Sequence, residues 1–307
     1  MFEKVNKSHP DKIADRIAGA LVDFAYSRQS DPKVAVEVLI GHSLCHIVAE
    51  SSVHFSMDDV LPIVHRIAGD HIYMDIECVP QDKHLAENQQ QCVRCGDNGI
   101  FKGMPITAEQ QLLADLTAEL YKRFPTDGKF IIREEQQQLL FTLCQSCADG
   151  ADVASALYNF VMQYKDDSVC GKLLYGSAIA HTINPLGSWT GGLDVDTGAT
   201  NRKLGSDMGD AVTGGGLHGK DLSKADVSIN VLCHLMAQQA GKPVTAACAI
   251  GDKEVVFHYV GDYDNKGNEN TVTIPYEYVV AEAGAYIHQI GGFEKLAEYG
   301  LVRPRGI

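Results

Sequence analysis

Residues 34–49 read Val34-Ala-Val-Glu-Val-Leu-Ile-Gly-His-Ser-Leu-Cys-His-Ile-Val-Ala49. Two runs of strand-forming residues, 34–40 and 43–49, are separated by Gly41-His42, a pair that suits a tight turn. The stretch therefore predicts an antiparallel hairpin. A sheet built from hairpins needs helices over one of its faces.

Helices are predicted on both sides of this hairpin. Ile13, Ile17, Leu21 and Phe24 form one apolar stripe at helical spacing, which predicts a helix over 11–28. A second helix is predicted over about 57–68, where two aspartates fall in the first turn and favour the positive end of the helix.

The same order of helix, hairpin and helix recurs twice, at intervals of about 100 residues. The second copy comprises 108–123, 130–132, 139–143 and 151–163, and the third comprises 223–239, 244–250, 254–260 and 276–290. The pattern predicts three similar α+β units with mostly antiparallel sheets. We expect one unit from 1–12 with 108–185, a second from 13–107 and a third from 186–307.

Composition narrows the functional class. The chain has 307 residues, of which 45% are hydrophobic, and a net charge of −14. This acidity argues against a nucleic-acid-binding surface, because phosphate backbones attract basic patches. No apolar run approaches the ~20 residues of a membrane span, and the N-terminus has no apolar signal segment. The nine scattered cysteines fit reduced thiols, so we expect a cytoplasmic protein.

A glycine-rich segment carries the strongest chemical signal. Residues 214–226 read Gly-Gly-Gly-Leu-His-Gly-Lys-Asp-Leu-Ser-Lys-Ala-Asp. The glycines let backbone N–H groups approach an anion, and Lys220 and Lys224 add positive charge. Asp221 and Asp226 could hold a divalent cation. This mixture predicts a polyphosphate site with Mg²⁺.

The same segment matches the P-loop pattern G-x-x-x-x-G-K. However, Asp221 stands where Ser or Thr should bind the metal, and residues 206–213 are not the apolar strand that must precede a P-loop. The predicted hairpins also disfavour the parallel sheet of that fold. We therefore interpret the segment as a different kind of phosphate site.

Further candidate residues flank predicted helices and turns. Pro10 suits a first helical turn, which places His9 and Asp11 at a helix N-terminus, where anions are favoured. A solvated helix start explains the same residues. Asp97 lies between glycines that allow close approach of a ligand, although an ordinary tight turn is also consistent.

The loop 184–192 contains Trp189, the single tryptophan, between glycines. An aromatic side chain there can stack on a purine or pack at the rim of a site. Arg202 and Lys203 extend the positive charge toward the glycine-rich segment.

Taken together, these motifs resemble those of the S-adenosylmethionine synthetase (methionine adenosyltransferase) family, in the family's order and over nearly the whole chain. The resemblance rests on His9-Pro-Asp-Lys-Ile-Ala-Asp15, Gly96-Asp-Asn-Gly99, Ile183-Asn-Pro-Leu-Gly187, Arg202-Lys203 and the 214–226 segment. It implies three α+β units around a pseudo-threefold axis, in agreement with the predicted repeat.

The resemblance also implies an activity. The family joins ATP and methionine: the methionine sulfur attacks C5′ of the ribose and expels triphosphate, which is hydrolysed to pyrophosphate and phosphate. It implies two Mg²⁺ ions and K⁺ as cofactors. It further implies a homodimer with the site between subunits, with pairing into a tetramer left open. From charge and composition we expect no nucleic-acid or membrane partner.

Residue roles follow from the resemblance alone. The catalytic set is His9, Lys12, Arg202, Lys203 and Lys220. The substrate-binding set is Glu3, Glu50, Gln81, Asp97, Asp127, Lys129, Trp189, Asp196 and Lys224. Asp11 and Asp226 match Mg²⁺ ligands, and Glu37 matches the K⁺ ligand. The chain departs from the family in Trp189, where Phe is usual, and in a shortened gating loop at 81–91 that carries His84 and Glu87.

Three alternatives remain open from the sequence. Cys92-x-x-Cys95 and Cys144-x-x-Cys147 are a weak match to a zinc site, because their separation exceeds the usual spacing. The chain could be a non-catalytic regulatory homologue, although its charged site residues are all present. It could also be another ATP-dependent transferase or a triphosphatase.

Overall fold

The computed structural model describes residues 1–83, 93–164 and 169–306. Its strands are β1 (Phe2–Val5), β2 (Val34–Gly41), β3 (Leu44–Ser51), β4 (Tyr73–Val79), β5 (Gly99–Gly103), β6 (Gly128–Glu135), β7 (Gln138–Gln145), β8 (Ala178–Ile183), β9 (Thr197–Ala199), β10 (Val244–Cys248), β11 (Glu254–Tyr263) and β12 (Glu269–Pro275). Its helices are α1 (Pro10–Arg28), α2 (Met57–Ala68), α3 (Ala108–Arg123), α4 (Gly150–Gln163), α5 (Val169–Gly176), α6 (Leu204–Met208), α7 (Ala225–Ala240), α8 (Tyr276–Gln289) and α9 (Phe293–Tyr299).

The strands form three four-stranded sheets with a shared plan. Their orders are β9-β2-β3-β4, β1-β6-β7-β8 and β5-β10-β11-β12. Each centres on one of the three predicted hairpins and gains an antiparallel edge strand from a remote part of the chain. The fourth strand is parallel to its neighbour in the first two sheets and antiparallel in the third. The predicted α+β fold with mostly antiparallel sheets is confirmed.

Helix boundaries follow local capping chemistry. Ser56 and Thr107 cap α2 and α3, each in a reciprocal capping box with the residue three positions later. Such caps satisfy N–H groups that have no partner inside the helix. The observed bounds of these two helices, 57–68 and 108–123, are those predicted.

Within the described residues, the first sheet buries one face and exposes the other. In β2 the side chains of Val34, Val36 and Val38 are buried in the core, whereas Glu37 and Leu39 are exposed. This alternation is the period-two pattern of a strand with one buried face. Helices α1 and α2 cover the buried face, and the opposite face, which we call the outer face, lies open.

Several short elements were not predicted, chiefly the edge strands β1, β5 and β9. Two of them join sheets across the predicted unit boundaries, since β5 pairs with β10 and β9 pairs with β2. The partition of the chain into units stays a prediction. Over the described ranges, no helix has both the length and the apolar character needed to cross a membrane.

Candidate functional site

The free edge of β2 positions the glycine-rich segment. Val36 N donates to the carbonyl of Gly219 at 2.6 Å, which fastens the segment to the first half of the strand. Gly219 has φ +74°, and a Cβ there would lie 2.2 Å from the Val36 carbonyl oxygen. Only glycine allows this approach. The loop therefore does not lie between a parallel strand and a helix, and the P-loop alternative is excluded.

Asp221 serves the backbone rather than a ligand. Its carboxylate accepts hydrogen bonds from Val34 N at 2.7 Å and from Ser223 N at 2.6 Å, and the side chain is fully buried. Burial raises the pKa of this carboxyl. Both carboxylate oxygens therefore hold the loop against β2, which explains an aspartate at this position. The structure does not support the prediction that Asp221 could bind a cation.

Four predicted residues meet in what we call the glycine-loop cluster: Lys220, Lys224, Asp226 and Asp97. They line one open cavity of about 490 Å³. Lys220 Nζ lies 2.6 Å from Asp226 Oδ2. Lys224 precedes α7 and Asp226 occupies its first turn, so the N–H groups at the helix start add positive potential beside both lysines. The cluster combines cations, a carboxylate and a helix N-terminus.

A second group, the helix-start cluster, is organised by Asp11. It comprises His9, Asp11, Arg202 and Lys203 together with Asp127 and Lys129. Asp11 Oδ2 lies 2.6 Å from Lys203 Nζ, and Asp11 Oδ1 accepts from Ala199 N at 2.9 Å. Burial raises the pKa of Asp11, but these hydrogen bonds outweigh it and the pKa lies below its ordinary value. Arg202 lies 3.7 Å from the same carboxylate.

His9 caps α1 and is held neutral. Burial, and then the charge of Lys203, lowers its pKa to about 4. Its Nδ1 accepts from Asp11 N at 3.2 Å. A neutral imidazole that accepts at Nδ1 carries its proton on Nε2. His9 is therefore a neutral hydrogen-bond donor at physiological pH.

The Trp189 loop closes onto Asp127. Asp127 Oδ2 accepts from Gly192 N at 3.0 Å, and a Cβ on Gly191 would lie 2.8 Å from the same oxygen. Trp189 Nε1 donates to Asn184 Oδ1 at 3.4 Å. The indole is thus anchored at the rim of the helix-start cluster, half-buried.

Asp127 gives a stability prediction. Burial raises its pKa to about 6, although the Gly192 hydrogen bond opposes this. The folded state then binds a proton more tightly than the unfolded state, so ionisation of Asp127 costs stability as pH rises from about 4 to about 6. We expect Asp127→Asn to gain stability relative to the parent at pH 7.5 and to lose that gain near pH 4. Urea denaturation at both pH values measures the difference.

The exposed carboxylate Asp210 provides the control for this measurement. Asp210→Asn is expected to show the same stability difference from the parent at both pH values. A pH-independent effect of Asp127→Asn would contradict the inferred burial of an ionisable carboxyl.

The remaining predicted residues lie on or beside the sheets. Glu3 lies 2.9 Å from Lys129 across β1 and β6. Glu37 accepts a short hydrogen bond from Thr200 Oγ1 on the outer face. Asp196 is exposed, and its charge influences the pKa of both His9 and Asp127.

Glu50 and Gln81 complete the placement. Glu50 is exposed on β3, opposite Ala35. Gln81 has a buried Nε2 with no hydrogen-bond partner in the described ranges. His84 and Glu87 of the predicted gating loop lie outside the described residues.

The two clusters are separated along one strand edge. Lys220 pairs with Ala35 and Ala199 with Leu39, four residues further along β2. At ~3.3 Å per residue this corresponds to about 13 Å. Paired residues of adjacent strands share a face, so Lys220 lies on the outer face with Ala35. Asp11 accepts from the backbone N–H of Ala199 at the other end of the same strand edge. Glu37 lies between the two clusters.

A buried charge network behind the helix-start cluster was missed by sequence reasoning. Lys12 Nζ lies 2.8 and 2.7 Å from the two carboxylate oxygens of Asp207, and His218 Nε2 lies 2.7 Å from Asp207 Oδ2. Asp15 lies 3.6 Å from Lys12. All four side chains are at least 98% buried. The structure thus places Lys12 among buried carboxylates rather than in either cluster.

Asp15, Asp207 and His218 also have the spacing of a metal site, the one such group found within the described residues. However, the ammonium of Lys12 already supplies positive charge to both carboxylates. Burial raises the pKa of Asp15, whereas the pKa of Asp207 is lowered, because Lys12 and His218 outweigh its burial. We interpret the group as an ion-pair network.

The cysteines are not arranged as the zinc alternative requires. Cys92 lies outside the described residues, Cys144 lies on β7, and Cys147 is exposed after that strand. Cys95 instead contacts Cys248 of β10. None of these four described cysteines belongs to a group with metal-site spacing in the described part of the chain.

Comparison with known proteins shows what this chain is similar to. Residues 1–89 match the family described as "S-adenosylmethionine synthetase, N-terminal domain". The S-adenosylmethionine synthase of Acholeplasma laidlawii is 25% identical, with 88% of this chain and 83% of that protein covered. The enzyme of the same name from Helicobacter pylori strain 26695 is 27% identical, with 85% and 80% covered. The chain is thus similar to S-adenosylmethionine synthetases over most of its length, at low sequence identity.

The fold of this S-adenosylmethionine synthetase relative is also found among solved structures. It matches the structure described as an unusual S-adenosylmethionine synthetase from Campylobacter jejuni with a TM-score of 0.71. The match covers 98% of this chain and 94% of the other at 18% sequence identity. At this identity the likeness concerns the fold. These matches confirm the resemblance drawn from the motifs.

Proposed function

We propose that the protein is an ATP:L-methionine S-adenosyltransferase that also hydrolyses the expelled triphosphate to pyrophosphate and phosphate. The observation that carries this proposal is the pair of clusters along one edge of β2. In each cluster a lysine contacts a carboxylate near the start of a helix. A glycine-rich or glycine-flanked loop lies beside it. This chemistry suits a polyphosphate with divalent cations.

The reaction depends on positioning of the two substrates and on stabilisation of negative charge, and it does not require a strong base. A thioether sulfur is a neutral nucleophile, so the demand falls on in-line alignment and on stabilising the departing polyphosphate. The neutral His9, with its proton on Nε2, donates a hydrogen bond to the ribose O5′ as the C5′–O5′ bond breaks. Lys203 and Arg202 on one side, and Lys220 and Lys224 on the other, hold the phosphates.

The residues present fit Mg²⁺. Asp11 and Asp226 offer carboxylate oxygens, which are the hard ligands this ion prefers. The backbone of Gly215 approaches Asp226 so closely that a Cβ would lie 2.2 Å from Oδ1, which leaves a cradle only glycine can form. When bound, Mg²⁺ would neutralise charge on the triphosphate. Glu37, with Thr200 beside it, offers oxygens for K⁺.

The other predicted residues would bind the substrates. Asp97, with Glu50 and Gln81, would hold methionine, and Asp196 would lie near the ribose and sulfur. Trp189 would stack on adenine, beside Asp127. Glu3 and Lys129, already paired with each other, would close the site from β1 and β6.

The outer face supports a homodimer as the functional unit. Leu39, Leu44 and Val48 are each about half exposed on it, at 48%, 51% and 49%. Contiguous exposed apolar residues of this kind indicate a protein interface. A two-fold axis that reverses the direction of β2 places the glycine-loop cluster of one copy opposite the helix-start cluster of the other. One complete site would then form from two copies.

The test is a methionine-dependent assay with Mg²⁺ and K⁺ present. We expect a sulfonium product together with pyrophosphate and phosphate, in equal amounts. Phosphate release without methionine would instead support a triphosphatase, and binding of ATP and methionine without product would support a non-catalytic homologue. Either result would contradict the proposed transfer.

A further inference from the structure

Two cysteines meet beside the glycine-loop cluster, and the proposed reaction uses neither. Cys95 Sγ and Cys248 Sγ lie 2.8 Å apart, and both cysteines are free thiols. Cys95 is fully buried, whereas Cys248, at the end of β10, is half-buried. We propose that Cys95 and Cys248 form a reversible disulfide that weakens ligand binding by the glycine-loop cluster. The effect on turnover rests on the proposed function, but the bond itself does not.

Backbone hydrogen bonds hold the two segments that carry these thiols next to each other. Cys95 N donates to Asp252 O at 2.9 Å, and Gly251 N donates to Cys95 O at 2.8 Å. These bonds fasten the segment that begins at Cys95 to the turn that follows β10. A disulfide has an S–S distance of about 2.05 Å, so the sulfurs need to approach by less than about 1 Å.

The bond requires a two-electron oxidant, and hydrogen peroxide is sufficient. Peroxide reaches the half-buried Cys248. The hydrogen bond to Cys95 raises the pKa of Cys248, so its proton passes to the Cys95 sulfur as its own sulfur attacks one oxygen. The O–O bond breaks, and the Cys248 sulfur becomes a sulfenic acid. The other oxygen leaves as hydroxide, takes the proton from Cys95 and departs as water. The Cys95 thiolate then attacks this sulfur: the S–S bond forms, the S–O bond breaks, and hydroxide leaves and takes up a proton. In total, two thiols and one peroxide give a disulfide and two waters.

Cys95 is suited to the second step. The hydrogen bond from the Cys248 thiol lowers the pKa of Cys95, although burial opposes it. A thiol with a lowered pKa has more of the thiolate that attacks sulfur. Thiol reductants, such as glutathione, would reverse the reaction by exchange.

The thiols connect directly to the site through Asp97. The Asp97 carbonyl accepts from Cys95 Sγ at 3.0 Å, and Cys248 Sγ lies 3.4 Å from the same oxygen. Asn98 Oδ1 accepts from Ile250 N at 2.8 Å, and both Asp97 and Ile250 line the cavity. Disulfide formation removes the S–H donor from this carbonyl. The turn at Asp97 must then repack, which moves a wall of the cavity.

The first measurement maps the bond. The full-length protein is reduced, freed of reductant, treated with stoichiometric peroxide and digested without reduction for mass spectrometry. We expect a peptide pair linked by a Cys95–Cys248 disulfide, which dithiothreitol cleaves. A dominant Cys92–Cys95 bond, favoured by their C-x-x-C spacing, or modification confined to the exposed Cys147 would overturn the proposal.

The second measurement tests the consequence without requiring catalysis. Binding of Mg²⁺–tripolyphosphate by the oxidised protein is expected to weaken about tenfold, because the wall of the site loses a hydrogen bond. Cys248→Ser should abolish this response, whereas the matched Cys147→Ser should retain it. Unchanged binding by the mapped disulfide form would overturn the switch. Failure of methionine-dependent turnover in the reduced protein would instead count against the proposed function alone.

Discussion

Replacing Asp11 by asparagine is expected to lower kcat by about 10²- to 10³-fold, the loss typical of removing one preorganised charge from an active site. The asparagine oxygen can still accept from Ala199 N, so the local backbone is preserved. The negative charge that holds Lys203 at 2.6 Å and draws in Arg202 is lost. A predicted Mg²⁺ ligand is lost with it.

Asp226→Asn is expected to produce a loss of the same size from the other cluster, since its carboxylate is the partner of Lys220. Steady-state kinetics measures kcat of both variants, and circular dichroism verifies that they fold. Asp152→Asn removes an exposed carboxylate on α4 and should leave kcat within about twofold of the parent. Activity of Asp11→Asn near the parental level would contradict the assignment of the helix-start cluster.

Replacing Lys12 by methionine is expected to destabilise the protein by about 3–5 kcal/mol, which is the usual cost of removing one partner from a buried ion pair. Methionine fills a similar volume, so the cost arises from the carboxylate of Asp207, which is left buried without its ammonium partner. Urea denaturation followed by circular dichroism measures the change in the free energy of unfolding.

Two comparisons sharpen this prediction. Lys122→Met breaks the exposed pair with Glu119 at 2.9 Å and should cost less than about 1 kcal/mol. The double variant Lys12→Met with Asp207→Asn should recover part of the loss, because the uncompensated charge is gone. If Lys12→Met is as stable as the parent but inactive, the ammonium acts on substrate, as its motif predicts, and the inferred structural role is wrong.

The sequence was sufficient where local signals decide the structure. Helices α2 and α3 carry their own caps in Ser56 and Thr107, and the approximate bounds predicted for them agree with the observed ones. The hairpins were predicted because apolar residues alternate around a turn, as in Val34, Val36 and Val38 of β2. These features depend on residues that are near neighbours in the chain.

Features decided by remote contacts could not be predicted. The three-residue strand β9 exists because it pairs with β2, more than 150 positions earlier, and its own sequence carries no strand pattern. The network of Lys12, Asp15, Asp207 and His218 joins helix α1 to segments about 200 residues away. No spacing in the sequence signals such a meeting.

The candidate site was predicted in part from the sequence and depends in part on remote contacts. Motif resemblance predicts which residues belong to it, and the structure brings most of these candidates into two clusters. The role of Asp221 could not be predicted, because its partner Val34 N lies on a strand 187 residues away. The separation of the clusters along β2 also emerged only from the pairing of Lys220 and Ala199 with opposite halves of that strand.

Complementation between the two clusters tests the central claim, that one site forms from two copies of this chain. Asp11→Asn and Asp226→Asn are co-expressed with different affinity tags, and activity is compared with that of each variant alone. If the site lies between copies, half of the dimers are mixed and each mixed dimer holds one intact site, so we expect about a quarter of the parental activity. Activity no greater than the mean of the two single variants, in protein shown to contain both tags, would contradict the account.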